Sequence, residues 1–298
     1  MGQPLDKSTA AFYGRFVNAA YAMFKRDHSK LEPEPQPGEI PAPYEMVAWI
    51  NMSDFIGGLE EPKFYGLIAQ NAQTPHEYIV AIRGTEGLVE WWDDATAFLV
   101  PFRQVPHAGR VHEGFDKIYS SMRIVRRLRA AERAAAAPPV RTFTGSFSDQ
   151  LEGLTVGLEA SRKAVHDEKR GRPLRTYVVT GHSLGSALAT LFVMENDEKK
   201  KFDVTTCCTF ASPRVGNKQF SLRFDRLPIT SWRIVNSRDV VPKVPLPIPP
   251  LFNYRHVETA YKFSCRGMVK CRLTCWHSMA TYLHWLDDTI QVDPECKP

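Results

Sequence analysis

The sequence predicts an α/β fold: a central, mostly parallel sheet flanked by helices. Three observations predict it. Strand-like runs rich in β-branched and aromatic residues alternate along the chain with segments of helical period, the pattern of a sheet covered on both faces. One of these junctions, TYVVTGHSLGSALATLF at 176–192, reads as strand, sharp turn and helix in immediate succession. Finally, the 298 residues are 43% hydrophobic and 24% charged, with no internal repeat and no compositional break, so one domain over 1–298 is expected.

The elements follow in order. DKSTAAFYGRFVNAAYAMFKR (6–26) places apolar residues at helical spacing and predicts a helix. The Pro-rich LEPEPQPGEIPAPYE after it must be loop. EMVAWI, KFYGLIAQ and EYIVAIRGT predict three strands. HEGFDKIYSSMRIVRRLRAAERAAAA reads as one long helix ending at Pro138–Pro139, with its five arginines (Arg123, Arg126, Arg127, Arg129, Arg133) on a solvated face. The stretch 131–150 is the best candidate for a surface insertion. SDQLEGLTVGLEASRKAVHDEKRG predicts a helix closed by Gly171; TYVVT a strand; SALATLFVMEND a helix; VTTCCTFASP and WRIVNS further strands. The Pro-rich VVPKVPLPIPP precedes a late strand, FNYRHVETAYKF, and CWHSMATYLHWL predicts the final helical segment.

Composition narrows the function. A net charge of +5 with pI near 8.8 is too mild to argue for nucleic acid, and allows only a weak attraction to anionic lipid. The apolar stretches are too short or too interrupted for a transmembrane helix. MGQPLDKSTAAFYGRF lacks the apolar core of a signal peptide, and Asp6 breaks the myristoylation pattern. A cytoplasmic protein, or an exported one with its signal removed, is expected. Six cysteines are too few for a disulfide scaffold. Cys207 and Cys208 read as small buried residues of a core strand. Cys265, Cys271 and Cys275 lie near His277, but at poor spacing for zinc; a disulfide or free thiols are expected there, and no metal or organic cofactor.

The chemistry centres on GHSLG. Gly181 and Gly185 sit two residues either side of Ser183, where a turn this tight brings backbones together and leaves no room for a Cβ. Ser183 would sit at a helix N-terminus, where N–H groups stabilise developing negative charge. A serine needs a base, and the base needs an orienting group. Asp239 lies at the end of the strand WRIVNS, where α/β sites are built. Asp203 starts a strand and Asp225 falls in a helix, so both compete poorly. Of the later histidines, His256 lies within a strand and His284 in a helix interior. His277 lies where loop meets helix and is favoured as base. The oxyanion hole needs the Leu184 N–H and a second donor, for which Thr85, after the strand that breaks at Arg83–Gly84, is the candidate. In GLVEWWDDATAFL (87–99), Leu88, Trp92, Ala95 and Leu99 fall on one helical stripe, with Trp91 and Phe98 beside it. Two adjacent tryptophans suit a flap that covers a site and meets lipid when it opens; an ordinary amphipathic core helix is the alternative.

RGT at 83, VHEGF at 111, TGHSLGSALA at 180, ASPRVGN at 211, NSRDVVPKVP at 236 and FNYRHVE at 252 occur in the order of the class 3 lipases, and the chain resembles that family from Phe12 to Leu286. The resemblance implies an α/β-hydrolase fold with a lid helix over the site, a triad of Ser183, Asp239 and His277, and an oxyanion hole of Thr85 and Leu184. It implies a lid over 86–99, in which Trp91 matches the lid tryptophan and Asp94 the acidic residue after it. Tyr21 is similar to the family tyrosine beside the oxyanion loop, and the H-x4-Y-L-H run at 277–284 to its C-terminal histidine region. Ser186 departs from the family's usual GHSLGGA, and 131–150 has no counterpart.

The expected function is hydrolysis of carboxylic esters, foremost triacylglycerols, through an acyl-enzyme on Ser183, with transient contact at a lipid interface. An esterase for soluble esters such as feruloyl esters is the first alternative. A non-catalytic lipase-like binding protein is the second, and the presence of all three triad residues argues against it.

Overall fold

The computed structural model of the chain describes residues 3–53, 61–85, 98–160, 175–248 and 253–298. Its main sheet holds β1 (Tyr44–Ser53), β2 (Pro62–Asn71), β3 (Glu77–Ile82), β6 (Arg123–Arg126), β7 (Thr176–His182), β8 (Asp203–Phe210), β10 (Thr230–Asn236) and β12 (Ala260–Phe263), in the order β12-β10-β8-β7-β3-β2-β1-β6. A small second sheet orders β11 (Tyr254–Arg255), β9 (Gly216–Asn217), β5 (Arg110–His112) and β4 (Leu99–Pro101). The helices are α1 (Lys7–Arg26), α2 (Glu113–Ser121), α3 (Ala130–Arg133), α4 (Phe147–Ala160), α5 (Leu184–Lys199), α6 (Lys218–Phe224), α7 (Leu273–His277) and α8 (Met279–Leu286).

The sheet is mixed, with a parallel majority: four of its seven pairings are parallel. From β3 through β7, β8 and β10 to β12 every pairing is parallel, whereas β6, β1, β2 and β3 pair antiparallel. The reason is connection length: β2 and β3 are joined by a short turn, too short for a crossover helix. Both faces are covered. Phe115, Leu151 and Leu188 from α2, α4 and α5 fill one core; Phe16 and Met23 of α1 fill the other with Leu283 of α8. α1 starts as its sequence dictates: the Asp6 carboxylate caps it by accepting the Ser8 and Thr9 N–H groups at 3.0 and 3.1 Å.

The long helix expected after His112 is not formed. α2 ends at Ser121, and Arg123–Arg126 becomes an edge strand paired with Ala48–Asn51 of β1. The β-branched Ile124–Val125 pair suits a strand, and the open edge of β1 needs backbone partners, which outweighs local helix propensity. The arginines are therefore not one solvated helical face. Arg126 is 1% exposed and pairs with Glu132 at 2.5 Å, while Arg127 reaches Glu34 at 2.8 Å. The stretch 131–150 is partly structured: Thr142 bridges Val125 and α4 begins at Phe147. The late strand expected over 252–263 divides between the two sheets, broken by Glu258 at φ 52°. The closing helix divides into α7 and α8 around Ser278. The predicted closure of α4 at Gly171 lies outside the described residues. No helix among the described residues is long and apolar enough to cross a membrane.

Candidate active site

Parallel neighbours β3 and β7 end side by side, with Ile82 opposite Gly181. Ser183 follows β7 directly, at φ 59° and ψ −125° as the N-cap of α5. A non-glycine residue held there is strained, and the surrounding structure must fix it. Here the Ser183 N–H donates to the Phe210 carbonyl of β8 at 2.9 Å. A Cβ on Gly181 would lie 2.4 Å from the Gly185 carbonyl oxygen, and one on Gly185 only 2.2 Å from that of Ile82. The glycines are thus required by backbone contact across the turn. Ser186, where the family usually has glycine, places its hydroxyl 2.7 Å from the Gly181 carbonyl and 2.8 Å from that of Phe210, tying the turn to β7 and β8.

Asp239 lies just past β10, two strands from β7. It is 1% exposed. Its Oδ2 accepts from His277 Nδ1 at 2.7 Å and from the Tyr282 hydroxyl at 2.8 Å. Its Oδ1 accepts the Val241 N–H at 2.9 Å. With Nδ1 donating, His277 presents Nε2 as the acceptor. His277 stands at the end of α7, not at the start of the following helix. Its position is set by Asn236, whose Nδ2 donates to the Trp276 carbonyl at 2.8 Å and whose Oδ1 accepts the Arg238 N–H at 3.2 Å. The disulfide Cys275–Cys296 pins α7 to the chain's last turn. Ser183 Oγ and His277 Nε2 are both buried, and among the described residues neither has a hydrogen-bond partner, so they are not bonded to each other here.

The other histidines are occupied. His256 Nε2 lies 2.7 Å from the Pro242 carbonyl, and His284 Nδ1 2.8 Å from that of Ile290. Among the described residues no group of His, Cys, Asp and Glu could hold a metal. Cys275 pairs with Cys296, which the sequence did not single out; Cys265 instead lies 3.0 Å from Asn236 Nδ2. Cys207 and Cys208 are buried in β8, and burial pushes the Cys207 thiol up to about 12.

On the β3 side, Thr85 is 8% exposed and Leu184 opens α5. The Tyr21 hydroxyl accepts the Gly84 N–H at 2.8 Å and lies 2.8 Å from His182 Nδ1. Burial first, then the neighbouring His277, pushes His182 well below the usual histidine range. Its ring centroid lies 4.6 Å from that of His277. A Cβ on Gly84 would come 2.8 Å from that of Ser183, so only glycine lets the β3 loop close on the elbow. Leu88, Trp91, Trp92 and Asp94 lie outside the described residues. Phe98, at the end of that stretch, is 53% exposed.

Sequence reasoning missed Tyr282, Asn236 and His182 as site residues. The signals were present: Tyr282 is the tyrosine of H-x4-Y-L-H, Asn236 opens NSRDVV, and His182 is the variable residue of GHSLG.

The family model for Lipase (class 3) matches residues 79–248, which span β3, the elbow and Asp239. The chain belongs to the class 3 lipase family. This class 3 lipase family member is 30% identical over 259 residues to Phospholipase A1-II 1 of Oryza sativa subsp. indica, a match that takes in 83% of this chain and 58% of that protein. The chain therefore spans a little over half the length of such curated relatives. Two structures of the Rhizomucor miehei lipase share the fold. The native propeptide complex has a TM-score of 0.58 at 18% identity, covering 92% of this chain and 76% of the other. The triacylglyceride lipase alone has a TM-score of 0.58 at 17% identity, covering 88% and 81%. The fold of this class 3 lipase family member is accordingly that of the α/β-hydrolases.

Proposed function

We propose that this chain is a serine hydrolase that cleaves the carboxylic esters of glycerolipids. The observation that carries the proposal is the pair of buried Asp239 and part-buried His277, at 2.7 Å, on the end of the sheet from which the strained Ser183 is presented. Ser183 Oγ attacks the ester carbonyl while His277 Nε2 takes its proton, and the pair closes to bonding distance as substrate fills the site. Asp239 holds the His277 tautomer and stabilises the imidazolium. The Leu184 and Thr85 N–H groups receive the oxyanion, each donor lowering the barrier by about 3 kcal/mol. His277 returns the proton to the leaving alcohol, and water then releases the acid by the same steps.

Two observations bear on the lipid. The paired tryptophans of EGLVEWWDDATAF support an apolar triacylglycerol, met at an interface. The rice relative, named a phospholipase A1, supports a glycerophospholipid. Rates on emulsified triolein, dispersed phosphatidylcholine and soluble p-nitrophenyl acetate decide between them. A jump in rate once triolein exceeds its solubility, absent in Ser183→Ala, is the result expected for a triacylglycerol lipase. Cleavage of phosphatidylcholine alone would favour the phospholipid. Activity confined to p-nitrophenyl acetate would make the protein a soluble esterase, and hydrolysis that survives Ser183→Ala would overturn the mechanism.

A further inference from the structure

Arg83 is 1% exposed, at the point where β3 leaves the sheet. Its guanidinium carbon lies 3.5 Å from the ring centroid of Phe24 and 4.2 Å from that of Tyr65. Held between these rings, it donates to two main-chain carbonyls. Nε and Nη2 donate to Phe64 at 3.0 and 2.6 Å, and Nη1 donates to Gly84 at 2.6 Å.

The Gly84 carbonyl belongs to the same peptide unit as the Thr85 N–H. That peptide is not among the cis bonds, so its C=O and N–H point in opposite directions. A guanidinium that fixes the carbonyl therefore fixes the N–H on the other side. The preceding N–H is held as well, by the Tyr21 hydroxyl at 2.8 Å. The whole unit packs against the nucleophile, as the 2.8 Å approach of a Gly84 Cβ to Ser183 Cβ requires.

We propose that Arg83 is the positioning residue of the oxyanion hole: by clamping the Gly84 carbonyl it turns the Thr85 N–H towards the space beside Ser183, and its charge polarises that peptide into a stronger donor. The inference rests on the hydrolase reading above. Arg83 acts on the site through the Gly84 main chain. A planar fork wedged between two rings can satisfy two carbonyls at once; a lysine ammonium is a single point charge and cannot reproduce the geometry.

The test compares wild type, Arg83→Lys, Tyr21→Phe and the double variant on p-nitrophenyl butyrate, with melting temperature measured for each. Loss of aim costs less than deleting a donor outright, so Arg83→Lys should lower kcat about tenfold to a hundredfold with KM within about twofold. Because Arg83 and Tyr21 hold the two successive peptide groups that meet at Gly84, their losses should be strongly non-additive. A residue that only filled the core would lower the melting temperature and combine multiplicatively with Tyr21→Phe. Wild-type kcat in a folded Arg83→Lys protein, or fully multiplicative losses, would overturn the inference while leaving the hydrolase reading intact. If the lysine variant does not fold, Arg83→Gln, which keeps neutral donors near the Gly84 carbonyl, should show the same kcat-limited loss. A wild-type protein that hydrolyses none of the esters would remove both readings.

Discussion

Asp239 Oδ2 is shared by two donors, His277 Nδ1 and the Tyr282 hydroxyl, while Oδ1 takes a main-chain N–H. A buried carboxylate needs such partners, because an unpaired one is costly to keep in the interior. Tyr282→Phe removes one donor and leaves a lone pair of a buried charge unsatisfied. It should destabilise the protein by about 1–3 kcal/mol in urea denaturation and reduce kcat more than it raises KM. At the same scale, Asn236→Ala frees the Trp276 carbonyl and the Arg238 N–H together, so it should lower kcat although Asn236 touches no reacting atom. These supporting residues were hard to see in the sequence for a physical reason. Ser183 and Asp239 have chemistry that singles them out at strand ends, and His277 at a junction of loop and helix. Tyr282 and Asn236 sit inside motifs of the sequence, but they act by hydrogen bonds whose partners are 43 and 40 residues away, so the motif marks the residue without revealing its role.

At the scale of elements, the elbow is over-determined. Gly185 approaches the β3 backbone so closely that Gly185→Ala should prevent stable folding, seen as loss of a cooperative melting transition. Ser186→Ala deletes only a buried hydroxyl stitched to Gly181 and Phe210. It should cost about 1 kcal/mol, leaving a folded protein with a lower melting temperature. On the far side of the site, α7 is a five-residue helix with little packing of its own. The disulfide that closes 21 residues onto it does part of the holding. Cys296→Ser, or reduction, should cost about 2–4 kcal/mol and loosen His277. The strand–turn–helix and the strands flanking it were legible, because β-branched runs and the paired glycines are local signals. Arg123–Arg126 was not. Its arginines and its neighbouring alanines favour helix locally, and only the unfilled edge of β1 makes it a strand. The halved closing helix was hidden similarly, since Ser278 breaks it without a glycine or proline to announce the break.

Across the molecule, burial lowers the pKa of three histidines among the described residues. His112 is pushed down to about 4 and His256 to about 3, burial being the main cause of both, and His182 lies well below its usual range. In the unfolded chain each would titrate near its ordinary value of about 6.5. Below that pH the unfolded state takes up protons that the folded state refuses. Their stabilising contribution is therefore complete above about pH 6.5 and falls away as the pH drops through the folded values. The melting temperature should decline steadily between pH 6.5 and 4. His256→Gln, which keeps a donor for the Pro242 carbonyl, should flatten that decline. In the proposed mechanism the whole sheet serves to make one buried serine nucleophilic. Incubation of the folded protein with a fluorophosphonate, followed by mass spectrometry of its peptides, tests this directly. A single adduct on Ser183 is expected, lost in Ser183→Ala and strongly slowed in His277→Ala. A folded protein that takes up no label, or takes it up on a residue other than Ser183, would contradict it.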